Sequence, residues 1–253
     1  NSNAAVHIHN LPGGYGGIGE AIAWGLAIRG ARVVIAGRSI EKARSLAESI
    51  NDAGYSAAGT ALDVESVASI NSAVEQLAKK HGPPEILVNC VGIQREEPIL
   101  EVTEEAFDEV YRTNLKSAMF LGQAVARYQV KAGTGKQLHL LSVRAKLGLR
   151  DRGYSAYCST KGGMVMLIKQ HAMELARHGI TVNGVAPTFV YTEMIRHVME
   201  NPEFRQNLLD RIPLGRIPDP KDVVGPVLFF CSPASDFVTG QIMYVDGGIT
   251  VSQ

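Results

Sequence analysis

The sequence predicts an α/β fold, a single-domain doubly wound sheet of seven parallel strands with helices on both faces. Two observations carry this prediction. Short apolar runs typical of buried strands alternate along the chain with longer segments that have the apolar periodicity of helices. No linker, repeat or low-complexity run interrupts the alternation, so residues 1–253 are expected to form one domain.

The predicted strands are short and mostly apolar. The run from Ala31 to Ala36 is typical of a strand buried on both faces. The first strand is unusual, because His7, His9 and Asn10 make it polar. In chain order, the strands are expected at residues 5–11, 31–36, 56–62, 85–89, 136–142, 180–186 and 241–245.

Capping residues mark where several helices begin. Ser39, Thr103 and Asp219 stand where an N-cap side chain accepts a backbone N–H, and Pro220 follows at a favoured first helical position. In chain order, the helices are expected at residues 17–29, 39–52, 66–80, 103–132 as two helices, 157–178 and 219–230.

A glycine-rich loop follows the first predicted strand. One register is Gly14-x-Gly16-x-x-Gly19, the common dinucleotide fingerprint, and the other is Gly13-x-x-x-Gly17-x-Gly19. In either register the backbone can approach a pyrophosphate at the N-terminus of the following helix. Five glycines between a strand and the first crossover helix favour this interpretation over a flexible turn.

The end of the second strand favours NADP(H) over NAD(H). The common fingerprint places an acid there to bind the ribose hydroxyls, but this strand ends at Gly37-Arg38 and the next acid is Glu41. A guanidinium binds a 2′-phosphate, which a carboxylate would repel, and Gly37 leaves room for it. An exposed, solvated arginine is the alternative interpretation.

Tyr157 and Lys161 lie four residues apart at the start of a predicted helix, so their side chains share one face. A nearby ammonium is expected to lower the pKa of the phenol, and such a pair can move a proton at a carbonyl or alcohol oxygen. A core aromatic with a solvated lysine is the alternative interpretation of this spacing.

Six motifs in order, each at the end of a strand, resemble those of the short-chain dehydrogenase/reductase family over nearly the whole chain. They are the glycine loop in its second register, Asp63-Val64, Asn89-Cys90-Val91-Gly92, the tetrad Asn114, Ser142, Tyr157 and Lys161, the segment Pro187-Thr188-Phe189-Val190-Tyr191-Thr192, and Asp246-Gly247-Gly248. The resemblance implies a Rossmann-type fold and hydride transfer between a nicotinamide cofactor and a carbonyl or secondary alcohol.

The resemblance also implies a role for each tetrad residue. Tyr157 is the general acid or base, Lys161 lowers its pKa and holds the nicotinamide ribose, Ser142 binds the reacting oxygen, and Asn114 holds a water that relays protons to solvent. The implied cofactor-binding residues are Gly13, Tyr15, Gly17, Ile18, Gly19, Arg38, Ser39, Asp63, Val64, Asn89, Val91, Gly92, Tyr157, Lys161, Pro187, Val190 and Thr192.

Within the family, three stretches are similar to gluconate 5-dehydrogenases and related sugar-acid reductases. They are residues 92–95, 122–127 and 237–250. The resemblance implies a mobile substrate-binding segment at about 188–212. Arginines near the expected pocket suit an anionic substrate. The predicted substrate-binding residues are Arg95, Arg152, Ser142 and Tyr157, with Arg144 and Arg150 in the same loop as Arg152.

Composition and charge bound the possible partners. Lys+Arg and Asp+Glu are both 25, so nothing favours nucleic acid or an anionic membrane. Three cysteines without metal-ligand spacing are typical of reduced thiols, and no N-terminal signal pattern is present, so a cytoplasmic protein without a metal site is expected. Family members usually assemble through two long helices, here about 113–132 and 155–178, so a homotetramer is expected.

Two other functions remain open at this stage. A 3-oxoacyl thioester reductase would use the same tetrad, with an apolar entrance and a basic patch for an acidic carrier protein. A non-catalytic homologue would bind the dinucleotide as a sensor or structural subunit. The complete tetrad counts against the second alternative.

Overall fold

The structure, a computed structural model, describes residues 8–150, 152–192 and 200–252, with the backbone alone at residues 8–12. All its strands join one parallel sheet in the order β3-β2-β1-β4-β5-β6-β7. The strands are β1 (Ile8–Pro12), β2 (Arg32–Gly37), β3 (Ser56–Ala61), β4 (Ile86–Asn89), β5 (Gly135–Leu140), β6 (Ile180–Pro187) and β7 (Ile242–Val245). The predicted doubly wound sheet is confirmed; residues 5–7 of the predicted first strand lie outside the described residues.

Helices cover both faces of the sheet, as predicted. They are α1 (Gly17–Ile28), α2 (Ile40–Asp52), α3 (Val67–His81), α4 (Glu104–Tyr111), α5 (Ser117–Ala132), α6 (Ser155–Leu175), α7 (Pro202–Leu209) and α8 (Pro220–Cys231). Helices α1, α2 and α8 share one apolar core, whereas α3, α5 and α6 pack on the other face. After β3 the chain passes to the other half of the sheet, where β4 pairs with β1, so the direction of winding changes between these two neighbouring strands.

The predicted N-caps form their expected hydrogen bonds. The Ser39 hydroxyl accepts from the Lys42 N–H, and the Thr103 hydroxyl accepts from the Ala106 N–H. Asp219 forms a capping box with Asp222 at the start of α8. Each cap satisfies backbone donors that the first helical turn leaves without partners, which is why these starting points could be predicted from the sequence.

Two local features depart from the predicted boundaries. Helices α4 and α5 are joined without a break by a π-helical turn, Arg112–Lys116, which has Asn114 at its centre. Helix α7 lies within the segment predicted to be mobile, and the Asn201 side chain caps it. Residues 193–199 of that segment lie outside the described residues. Among the residues that are described, no helix has the length and apolar character needed to cross a bilayer.

Candidate active site

The glycine loop lies where the sheet changes direction, beyond the carboxyl ends of β1 and β4. Gly13 has a φ of 76°, and a Cβ there would lie 3.0 Å from the carbonyl carbon of Cys90. A Cβ on Gly19 would collide with the Gly13 carbonyl oxygen, whereas one on Gly16 would meet open space. The contacts therefore support the Gly13-x-x-x-Gly17-x-Gly19 register, because Gly13 and Gly19 are crowded by backbone and Gly17 by a side chain, whereas Gly16 of the other register is not crowded.

Thr192 lies directly over this loop. A Cβ on Gly17 would come within 2.7 Å of the Thr192 Cγ2 atom. Val190 is 5% exposed, and Pro187 ends β6 opposite Val245. The structure thus brings the predicted Pro187–Thr192 segment against the glycine loop across the crevice, where both sides can contact one extended dinucleotide.

At the end of β2, the side chain of Tyr15 from the glycine loop fills the space beside Gly37 that was predicted to receive a 2′-phosphate. The Tyr15 ring packs against Gly37, where a Cβ would collide with it, and its hydroxyl accepts a 3.1 Å hydrogen bond from the Ser39 N–H. Arg38 is 72% exposed, and its Nη1 atom lies 3.9 Å from the Glu65 Oε1 atom. Gly37 therefore accommodates Tyr15, and the Arg38 guanidinium is exposed to solvent at the end of β2.

Two further predicted cofactor residues shape the turns after β3 and β4. The Asp63 carboxylate accepts the Glu65 N–H at 3.0 Å, and Val64 is buried. The buried Asn89 side chain accepts the Val91 N–H at 3.0 Å and lies 3.2 Å from the His139 Nδ1 atom. Burial lowers the pKa of His139 to about 3, so this imidazole is neutral at physiological pH.

Asn114 connects three elements of the crevice. Its Oδ1 atom accepts the Ile93 N–H at 2.8 Å, and its Nδ2 atom donates to the Ile93 carbonyl at 2.9 Å and to the Thr160 hydroxyl at 3.2 Å. Both amide hydrogens are thus used within the protein. The predicted water would have to bind the second lone pair of Oδ1 or a backbone carbonyl.

Lys161 is 2% exposed, and its ammonium donates a 2.9 Å hydrogen bond to the Leu140 carbonyl at the end of β5. The Nζ atom lies 5.7 Å from the centroid of the Tyr157 ring. A Cβ on Gly92 would come within 3.3 Å of Nζ, so glycine leaves room for the ammonium. Burial lowers the pKa of Lys161 to about 8.

Tyr157 is half-buried, and its hydroxyl lies near the Ser142 side chain. Burial raises the pKa of Tyr157 to about 12, while the Ser142 hydroxyl and the charge of Arg144 act in the opposite direction. The prediction of a lowered phenol pKa is therefore wrong for the protein alone, because desolvation of the phenolate outweighs the neighbouring charges.

The arginines predicted to bind substrate are already paired. Arg95 uses Nε and Nη2 to bind both carboxylate oxygens of Glu109, each at 2.7 Å. Arg152 binds Glu96 through the same two nitrogens, and its guanidinium lies over the Phe204 ring of α7 at 5.5 Å. In this structure a substrate carboxylate would have to displace Glu109 or Glu96 to reach either fork.

Two neighbours of the tetrad were not predicted. The Tyr154 ring, 4% exposed, meets the Tyr157 ring edge-on with centroids 6.2 Å apart. This contact could have been predicted, because residues three apart at the start of a helix lie side by side on its surface. The Thr160 contact with Asn114 had no such signal, because the two residues come from different helices.

Comparison with known proteins identifies the family. A family model described as Enoyl-(Acyl carrier protein) reductase matches residues 14–250. A gluconate 5-dehydrogenase of Gluconobacter oxydans (strain 621H) is 38% identical over 236 residues, or 93% of this chain and 91% of that protein. The chain belongs to the short-chain dehydrogenase/reductase family. The predicted family and fold are thereby confirmed, and the protein is an oxidoreductase that uses NAD(P)(H) and acts on CH–OH groups.

Two other members of the short-chain dehydrogenase/reductase family are similar over most of their length. The crystal structure of a gluconate 5-dehydrogenase from Burkholderia cenocepacia J2315, in complex with NADP and tartrate, aligns with a TM-score of 0.94 and 36% identity over 98% of this chain and 96% of that chain. A 3-oxoacyl-(acyl-carrier-protein) reductase of Vibrio cholerae serotype O1 is 35% identical over 92% of this chain and 93% of that protein.

Proposed function

We propose that the protein transfers a hydride between NADP(H) and the carbonyl or secondary alcohol of a sugar acid, as a gluconate 5-dehydrogenase does. The observation that carries the proposal is the Ser142–Tyr157 hydroxyl pair beside the buried Lys161 ammonium, at the crevice end of the sheet. The similarity to gluconate 5-dehydrogenases supports the substrate class.

In the reductive direction the protein supplies the proton. When bound between the glycine loop and the Pro187–Thr192 segment, NADPH would supply a hydride to the carbonyl carbon. Tyr157 donates its hydroxyl proton to the carbonyl oxygen, so that ketone, hydride and proton give the alcohol. Ser142 donates a hydrogen bond to the same oxygen while negative charge develops on it. Lys161 stabilises the phenolate that remains until it is reprotonated.

The substrate class is tested by following NADPH absorbance with a panel of ketones. We expect rapid oxidation of NADPH with 5-keto-D-gluconate and slow oxidation with acetoacetyl thioesters. A clear preference for the thioester would instead support the acyl-carrier reductase alternative. Tight binding of NADPH with no turnover on either class would support a non-catalytic homologue.

NADP(H) is proposed as the preferred cofactor, since Arg38 offers a positive charge at the ribose end of the crevice. Arg38→Asp is expected to weaken NADPH binding by about ten- to a hundredfold, because it removes charge-assisted hydrogen bonds and adds repulsion. NADH binding should change little. Titration of protein fluorescence with each cofactor measures both dissociation constants. A wild type that already binds NADH more tightly would contradict the assignment.

We also propose a cytoplasmic homotetramer in which residues 188–212 close over the substrate. Leu121, Met164 and Ile168 are fully buried and face the sheet, so they cannot form an interface between subunits. The predicted tetramer therefore depends on other apolar residues of α5 and α6. Met166 and Met173 are 61% and 67% exposed on α6. Removing such surface from water on assembly is favourable.

The assembly is tested by light scattering of the purified protein. We expect a tetramer for the wild type and smaller species for Met166→Glu combined with Met173→Glu, because charges replace the apolar contact. A charge change on the opposite helix layer, Lys42→Glu, serves as the control and should leave the mass unchanged. A monomeric wild type at micromolar concentration would exclude the proposed tetramer.

A further inference from the structure

Arg144 is a buried cation at the start of the loop after β5, two residues beyond Ser142, and only 5% of it is exposed. Its Nη1 atom donates to the carbonyl oxygens of Leu147 at 3.3 Å and Gly148 at 2.6 Å. Its backbone N–H donates to the Ser142 hydroxyl oxygen at 3.2 Å. One edge of the guanidinium therefore fixes the loop that positions Ser142.

The other edge of this guanidinium has no partner among the residues that the structure describes. The Nε atom is buried without a hydrogen-bond partner, and within the described part of the chain Arg144 forms no salt bridge. Arg95 and Arg152 use the corresponding Nε and Nη2 edge to bind Glu109 and Glu96. Among these three arginines, Arg144 is thus the most buried, and it alone has no carboxylate partner among the described residues.

Arg144 also lies at the reacting end of the crevice. Its backbone N–H contacts the Ser142 hydroxyl, and its charge interacts with Cys158 and Tyr157 on α6 and with Tyr154 just before that helix. Burial and the charge of Arg211, at the end of the proposed closing segment, lower the pKa of Arg144. A buried guanidinium without an anion is costly, and an incoming carboxylate would relieve that cost. The Nε–Nη2 edge carries parallel N–H donors, an arrangement that matches the two oxygens of a carboxylate. Because Nε is buried, a substrate carboxylate reaches this edge only when the surrounding loop moves aside.

We infer that Arg144 is the substrate-carboxylate receptor of this protein, binding the acid group of the sugar acid through its Nε edge while Ser142 and Tyr157 bind the reacting oxygen. This inference rests on the proposed sugar-acid substrate and assigns the recognition of its charge to one residue. It replaces the predicted roles of Arg95 and Arg152, whose forks are held by carboxylates of the protein itself.

Two substitutions separate charge recognition from loop structure. Arg144→Gln removes the charge and keeps a side-chain N–H donor for the loop carbonyls, whereas Arg144→Lys keeps the charge and loses the fork. Arg144→Gln is expected to raise KM for 5-keto-D-gluconate by about ten- to a hundredfold, the usual worth of hydrogen bonds to a charged group. The KM of Arg144→Lys for 5-keto-D-gluconate should lie between the values of Arg144→Gln and the wild type. KM for a neutral ketohexose should change little in either variant.

The matched control is Lys146→Gln, which removes one positive charge from the exposed part of the same loop. We expect it to leave both KM values unchanged. Calorimetry with D-gluconate and with neutral sorbitol gives a second measurement, since Arg144→Gln should weaken the binding of gluconate alone. Thermal unfolding of each variant checks that the fold is kept.

The outcomes separate the inference from the proposed function. Equal changes in KM for the acid and the neutral ketose, with gluconate binding unchanged, would overturn the role of Arg144 and leave the function standing. A wild type that reduces no sugar acid would overturn the proposed function. In that case, gluconate binding that is equal in the wild type and Arg144→Gln would overturn the inference as well.

Discussion

Tyr157→Phe is expected to lower kcat by about a hundred- to ten-thousandfold, the usual contribution of general acid–base catalysis. The substitution removes the one proton that the site can deliver to the carbonyl oxygen and leaves the ring in place. Cofactor affinity should stay nearly unchanged, because the loss is confined to the hydroxyl. Steady-state kinetics in both directions and a fluorescence titration with NADPH measure the two effects.

Tyr154→Phe is the matched control for this prediction. Tyr154 stands at the same end of α6, is more buried than Tyr157, and its hydroxyl accepts a 3.3 Å hydrogen bond from Arg152. The Tyr154→Phe variant should retain most of the activity, because the hydroxyl that it removes is bonded to Arg152 and not to a member of the tetrad. A Tyr157→Phe variant that kept more than about a tenth of the wild-type rate would remove Tyr157 from the proton step.

Lys161→Met is expected to lower kcat by about a hundredfold and to weaken cofactor binding, since it removes the buried cation beside Tyr157. It should also change the pH profile. Because burial lowers the pKa of Lys161 to about 8, the ammonium is present below that pH and is lost as the pH rises through it. In the wild type, kcat/KM for ketone reduction should therefore fall above about pH 8.

The pH profile separates an electrostatic role of Lys161 from a structural one. Measured from pH 6 to 10, the decline near pH 8 should be absent in Lys161→Met, because no group with that pKa remains beside the phenol. An identical decline in both proteins would assign it to another residue. Unchanged cofactor affinity would show that the lysine does not contact the nicotinamide ribose.

Much of the fold could be predicted from local patterns. Strands β2 and β6 are short, mostly apolar runs of the kind that is buried on both faces of a parallel sheet. Both lie within a residue or two of their predicted bounds. The capping side chains of Ser39, Thr103 and Asp219 bind backbone groups within three residues. Interactions over so short a distance in sequence leave a sequence signal.

Other features depend on contacts between distant segments and left no such signal. Arg95 and Glu109 are fourteen residues apart, and Arg152 and Glu96 are fifty-six apart, so the sequence alone could not indicate that both forks are occupied. The direction of the Tyr157 pKa shift was missed for a similar reason, since it depends on how much of the phenol is desolvated.

By itself, the sequence determined the alternation of strands and helices, the position of the glycine loop and the order of the tetrad, because periodicity, capping and residue type are local properties. The tertiary structure alone decided which glycine register is crowded, where Tyr15 lies against β2, and which arginine has no carboxylate partner among the described residues. These follow from packing, in which atoms far apart in the chain exclude one another, desolvate one another or pair in space.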